Sequence, residues 1–423
     1  MKLIDRDVSG GTWVGTALLA GGAAISVQLA FMSLVGVDWS RGLVLGGIIV
    51  LAVALWFTAW KSRCLVLERS RSVVGVALAV DLLTVLAVAG HGVFATLAPV
   101  VENDFMTIWG LKARTFWIAQ GIDVPFLTNP WSVLFHVDYP ILLPLAYDAV
   151  AILGGEWNDR LLGAVTTFFA AAALIVIRRE SLVEAGSDMI SALTALGISG
   201  LLLSPWIGLA EGPLAAYVIA GVLVLRRGLK ESNNGTIRLG AILIGCGALV
   251  KNEGLALMVA VFLGVLVADR SVRRMIQLWP ALLIASFWLI PRIALQLSTD
   301  LGSEGVMSRV FYRIVHPGEL IKVITGTGVG RDLVWIAVLL GIVMIGRRLL
   351  QEELFTVSVI AAQFVAYLLA YMASPHDLEW HVTWSWERLV SHISPLIVFI
   401  VAVQLARVVV GRPKPQGSEL PSG

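Results

Sequence analysis

Residues 101–114, VENDFMTIWGLKAR, place two carboxylates, an amide, a tryptophan and two cations close together in a chain that is otherwise poor in all of them. Glu102 and Asp104 are acids that could take a proton from a hydroxyl, which requires a carboxylate within hydrogen-bond reach of the reacting group. Lys112 is a cation of the kind that steadies negative charge as it grows on a leaving phosphate. Two more cations stand out further along. Lys251 lies in the turn KNEG with Glu253 two residues on, and Arg388 in WERL precedes His392 by one helical turn. A proton acceptor and a cationic clamp are the minimum for group transfer from a phosphate, because a phosphate leaves without being protonated.

These residues are held by a chain of membrane-protein composition. Of its 423 residues 58% are hydrophobic and only 14% charged, with a mean hydropathy of +0.86, far from the soluble average. Apolar runs recur along the whole length, at about 13–37, 42–60, 73–98, 161–177, 190–206, 213–227, 239–250, 255–268, 277–296, 333–346, 354–373 and 392–410. They predict an all-α polytopic membrane helix bundle of about twelve spans. A net charge of +2 says little, since the side on which cations fall matters more than their sum. Lys61, Arg63, Arg69 and Arg71, then Arg178 and Arg179, Arg226, Arg227, Lys230 and Arg238, Arg270, Arg273 and Arg274, and Arg347 and Arg348 occupy alternate connections, which the positive-inside rule makes cytoplasmic. Both termini then lie in the cytoplasm, with Lys2 and Arg6 ahead of an uncleaved first span. All six histidines fall at or near the opposite, outer side. Cys64 and Cys246 show no metal or redox spacing, so neither a disulfide nor a structural metal is expected.

The outer segment 99–160 is more than a loop. Residues 104–120 have helical periodicity, with Trp109, Lys112 and Phe116 on one face, which predicts a helix lying at the interface. Residues 136–155 hold His136, Asp138, Tyr139 and a short apolar run broken by Pro140 and Pro144, a second interfacial or partly inserted helix. The two runs flanking Lys251 are too short to cross a hydrocarbon core of about 30 Å at about 1.5 Å per residue without tilt. Its turn should be sunk below the outer surface, where the lysine must face a polar cavity or pair with Glu253. Asp81, inside the third run, should find a partner within the bundle, and His91 could reach the cavity floor. Plainer readings compete with the chemical ones: Asp104 as a helix N-cap, Lys112 as a snorkelling lysine, and Glu211 in LAEGP as an ordinary loop acid.

The stretches ENDFMTIWGLKAR, HVDYPILLPL, ALVKNEGLAL and WHVTWSWERLVSHISPLIV together resemble bacterial polytopic glycosyltransferases of the GT-C fold class. They are similar in plan to protein O-mannosyltransferases and to the aminoarabinose transferase that modifies lipid A. The element formed by Asp104, Trp109, Lys112 and Ala113 is the most specific part, and Val137 stands where the pattern HPDYP has proline. The resemblance covers about 73–410. It leaves 1–72 as two additional N-terminal spans and 411–423 as a disordered cytoplasmic tail.

What the resemblance implies is an enzyme of the bacterial cytoplasmic membrane that moves a sugar from a polyprenyl-phosphate donor to an acceptor at the extracytoplasmic face. Asp104 then acts at the acceptor, with Glu102 as its rival. Lys112, Lys251 and Arg388 are the candidate phosphate contacts, with Glu253, His136, Asp138 and His392 around them. Trp109, Tyr139 and Trp380 could line the sugar path. The acceptor is left open among glycan, lipid and protein. Membrane lipids are expected partners and nucleic acid is not. No cofactor or divalent metal is expected, since HDLEWH, the metal-like run at 376–381, lacks a zinc or calcium spacing. Two rival functions remain: a secondary transporter, which would share the span number and buried ionisable groups, and a polysaccharide polymerase or ligase using lipid-linked sugar.

Overall fold

A computed structural model describes residues 10–61, 75–203, 207–297, 299, 305–327 and 334–410. Lys2, Arg6, Cys64, the basic residues Arg63, Arg69 and Arg71, and the tail 411–423 lie outside the described residues.

The described residues contain helices and no strand. Helices α1 (Gly10–Leu34), α2 (Arg41–Lys61) and α3 (Gly75–Leu97) open the chain. The first long connection holds a π-helical turn (Phe105–Trp109) that runs on into α4 (Gly110–Ala119), then α5 (Val124–Thr128), a 3-10 turn (Pro130–Phe135), α6 (Leu142–Gly154) and α7 (Asp159–Leu162). Next come α8 (Ala164–Ala185), α9 (Asp188–Leu202), α10 (Glu211–Lys230), α11 (Asn234–Ala248), α12 (Asn252–Asp269), α13 (Val272–Ile276) and α14 (Trp279–Ala294). The remainder is α15 (Val306–Val315), α16 (Pro317–Thr327), α17 (Val334–Glu352), α18 (Leu354–Ala373), α19 (Leu378–Ser391) and α20 (Ser394–Val410).

Every apolar run read from the sequence holds helix over most of its described length, because in lipid only a helix or a closed barrel satisfies its own backbone. Seven of the described helices are long and apolar enough to cross a membrane, or eight if the bent pair α19 and α20 counts as one span. Others fall short by length, among them α9 and α14. Leu82, Leu86, Ile290, Ile342 and Val343 are exposed on α3, α14 and α17, an apolar exterior far larger than a water-facing surface tolerates.

At the centre stands α10, in which every residue from Glu211 to Gly228 is buried. It packs along α11 and α8, with α12, α18, α19 and α20 around it. Glu211 and Arg226 are fifteen residues apart on this rod, about 22 Å of helix. They mark its two ends, and a cluster of charges gathers at each. On the flank, Asp81 finds the expected partner: its carboxylate accepts from Arg178 Nε at 2.8 Å. His91 meets Thr167 Oγ1 through Nδ1 at 2.7 Å.

Candidate active site at the Glu211 end of the bundle

The π-helical turn begins straight after Asp104, and such turns recur at functional sites because the extra residue per turn re-aims the side chains. Asp104 does not cap the helix, since its side chain makes no capping hydrogen bond. Its Oδ2 instead accepts from Arg388 Nη2 at 2.5 Å, across 284 residues of sequence. The same guanidinium reaches Glu211 Oε1 from Nε at 2.8 Å and from Nη2 at 2.6 Å. Lys251 Nζ lies 3.0 Å from that oxygen and 3.1 Å from Glu253 Oε1. Asp104, Arg388, Glu211, Lys251 and Glu253 thus form one chain of alternating charge. It holds three carboxylates and two cations.

Local structure explains how these groups meet. Lys251 occupies an extended residue between α11 and α12, which frees its side chain to turn inward. The two helices approach so closely there that a Cβ on Gly254 would lie 2.1 Å from Gly247 O; only glycine fits. Lys251 is 5% exposed, and the two carboxylates beside it outweigh its burial and hold its ammonium above the usual lysine range. Arg388 is carried on α19, and His392 closes that helix one turn later. His392 is buried, with Nδ1 at 3.4 Å from Tyr367 Oη.

The network is incompletely satisfied. Glu211 Oε2, Glu253 Oε2, His392 Nε2 and Tyr147 Oη are buried with no hydrogen-bond partner. Buried polar atoms are normally paired, so four orphans in one region call for an explanation. Tyr147 joins the group electrostatically, since the Glu211 charge adds to burial in disfavouring its ionisation. By contrast Asp104, with 24% of its side chain exposed, can be reached from outside.

Beside this chain a second group fixes the outer segment. Lys112 is fully buried and its Nζ donates to His136 O at 3.1 Å and Tyr139 O at 3.0 Å. Burial pushes its ammonium down to about 7, with the Asp138 charge opposing. His136 takes a left-handed backbone at φ 46 to end the 3-10 turn, a conformation histidine enters more readily than most residues. Its ring stacks on Tyr139 at 4.8 Å, and Tyr139 stacks on Trp109 at 5.4 Å. Asp138 accepts from Asn252 Nδ2 at 3.0 Å and from Arg292 Nη2 at 3.3 Å, which ties the segment to the Lys251 turn.

No family model, curated protein or solved structure matches the chain. Its chemistry has to be read from the side chains themselves.

Of the residues singled out from sequence, Asp104, Lys251, Glu253 and Arg388 share one ion-paired network, with His392 buried beside it. Trp109, Lys112, His136, Asp138 and Tyr139 form the supporting group. Glu102 is exposed, and no ion pair among the described residues joins it to the network. Trp380 is exposed at the start of α19, beside His376. Sequence reasoning read Glu211 as an ordinary loop acid and passed over Asn252, Arg292 and Tyr147. For Glu211 a signal existed: it is a lone acid at the mouth of a long apolar run, where an unpaired charge would be costly.

Proposed function

We propose that this chain is a glycosyltransferase of the GT-C type that uses a polyprenyl-phosphate sugar. It sits in the bacterial cytoplasmic membrane with about twelve crossings, some made by short helices. Both termini are in the cytoplasm, and the Glu211 end faces outward. The observation that carries the reading is the 2.5 Å contact of Asp104 with Arg388, which shares Glu211 with Lys251. A carboxylate and two cations from three distant parts of the sequence thereby meet, which supports their assignment as proton acceptor and phosphate clamp.

In the proposed reaction the acceptor hydroxyl oxygen forms a bond to the anomeric carbon while its proton passes to Asp104. The bond from that carbon to the phosphate oxygen breaks, and its electron pair leaves with the polyprenyl phosphate. Arg388 and Lys251 hold the departing charge. The donor phosphate would take the place of Asp104 on Arg388, freeing the carboxylate to act as base at the moment the substrate arrives. Asp104 is preferred to Glu102 because it alone shares a cation with the network. The role left to Lys112 is positional, since both its hydrogen bonds hold the backbone of the segment that bears Tyr139. The stacked rings of Trp109 and Tyr139 offer a face for sugar C–H groups.

The test is transfer of labelled sugar from a polyprenyl-phosphate donor by purified protein in bilayers. Asp104→Asn, with its fold intact, should lower transfer by about 100-fold or more. Movement of substrate across sealed vesicles with no covalent product would instead establish the transporter reading. Activity only in lengthening a lipid-linked glycan would establish the polymerase reading.

A further inference from the structure

The ten-residue helix α15 is an amphipathic helix turned inside out. Arg309 and Arg313, with Val306 and Val310, lie on its partly buried face, whereas Met307, Phe311, Ile314 and Val315 are 78, 70, 57 and 55% exposed. Spacings of three and four residues put each set on its own side of the helix.

The inward arginines have a definite task. Arg313 Nη1 donates to Tyr371 O at 2.5 Å and Ser374 O at 2.9 Å, its Nη2 to His376 O at 3.3 Å, and Arg309 Nε to Ala373 O at 3.0 Å. These carbonyls belong to the last turn of α18 and the residues just after it, where the helix has run out of its own donors. The two guanidiniums therefore cap α18 and clamp α15 across its end. The apolar face of α15 remains outward, and α18 itself is long and apolar enough to cross a membrane, with Val365 and Leu369 half exposed.

We infer that α15 lies in the membrane–water boundary with Met307, Phe311, Ile314 and Val315 dipped among lipid acyl chains, held there by apolar contact and not by charge. The occupant is lipid because the exposed side chains are aliphatic and aromatic groups held, through Arg309 and Arg313, at the end of α18, a helix long and apolar enough to cross a membrane. Interfacial helices usually present basic residues to anionic headgroups and respond to lipid charge. In α15 those residues are already committed to carbonyl oxygens, so its insertion should be indifferent to headgroup charge and to salt. The inference does not depend on the sugar-transfer reading.

The experiment uses the full chain with Cys64→Ser and Cys246→Ala, spin-labelled at Phe311→Cys or, as a control at an exposed acidic position of α16, at Glu319→Cys, and reconstituted into zwitterionic or anionic bilayers. Collision with oxygen, which concentrates in lipid, is compared with collision with a water-soluble nickel chelate. The label at 311 should favour oxygen over the chelate several-fold more than the label at 319, equally in both bilayers and at low and high salt. Preference for the chelate at 311 would overturn the inference in favour of water, and shielding from both agents would overturn it in favour of a protein partner or a second copy. A preference that changes with lipid charge or salt would overturn the role given to the arginines.

Discussion

Two charge clusters cap opposite ends of α10, made from the same residue types and finished to different degrees. At the far end, Arg226 donates to Glu353 Oε2 at 2.6 Å and Glu184 Oε1 at 2.7 Å. Glu353 Oε1 also receives Lys230 at 3.1 Å and Gln404 at 2.8 Å, while Arg407 closes on the second oxygen of Glu184. All four oxygens of these two carboxylates are occupied. At the Glu211 end, the second oxygens of Glu211 and Glu253 and one nitrogen of His392 have no partner. A buried polar network is rigid when complete and strained when it is not. At the far end the carboxylates are satisfied and only the amide oxygen of Gln404 is left over in the network named here; at the Glu211 end it is the carboxylates themselves that keep unpaired oxygens, which supports the proposed ligand site there.

The contrast can be broken most sharply at its acids. Replacing Asp104 with Asn should lower transfer by about 100- to 10,000-fold while the thermal unfolding midpoint barely moves, because the side chain is partly open to solvent. Replacing Glu353 with Gln should do the reverse. It leaves the buried Arg226 with Glu184 as its one remaining carboxylate in the cluster and should destabilise the fold by about 3–5 kcal/mol, seen as a lower unfolding midpoint with activity per folded molecule retained. Equal behaviour of the two variants would erase the distinction.

Smaller effects sharpen it. Arg388→Lys keeps the charge but loses the planar fork that serves two carboxylates at once, so transfer should drop by about tenfold or more, chiefly through a higher KM for the donor. Lys112 gives a pH signature. Its folded-state pKa of about 7 lies below its ordinary value of 10.5, so between those values the unfolded chain binds more protons and stability should rise with pH. Below about 7 the contribution is flat at its lower level. Unfolding midpoints measured from pH 7 to 9 should climb in the native protein by up to about 1.4 kcal/mol per pH unit, and Lys112→Met should lose that slope.

Much of the helical content was legible in the sequence, since long apolar runs leave the backbone no other way to satisfy itself in lipid. The number of crossings was less so: runs such as 239–250 end in buried turns, and composition does not tell a short span from a core helix. Asp104 and Arg388 were legible as chemical types, but no local signal said that residues 284 positions apart would touch. Lys112 could be placed on a face of a helix, yet not inside the protein. Its partners are backbone carbonyls, which leave no trace in residue type. Arg226 misled for a related reason. A cation at the end of a span satisfies the charge rule equally well in water or in a knot, and its partner Glu353 is 127 residues away.

The wholly enclosed α10 bears on how the chain is made. It is synthesised while Glu353 and Arg388, which pair with Arg226 and Glu211, are still untranslated, lying 127 residues after Arg226 and 177 after Glu211. Until then its charges depend on earlier or nearby helices alone, so nascent chains stalled before α18 should be recognised as immature and degraded by membrane proteases.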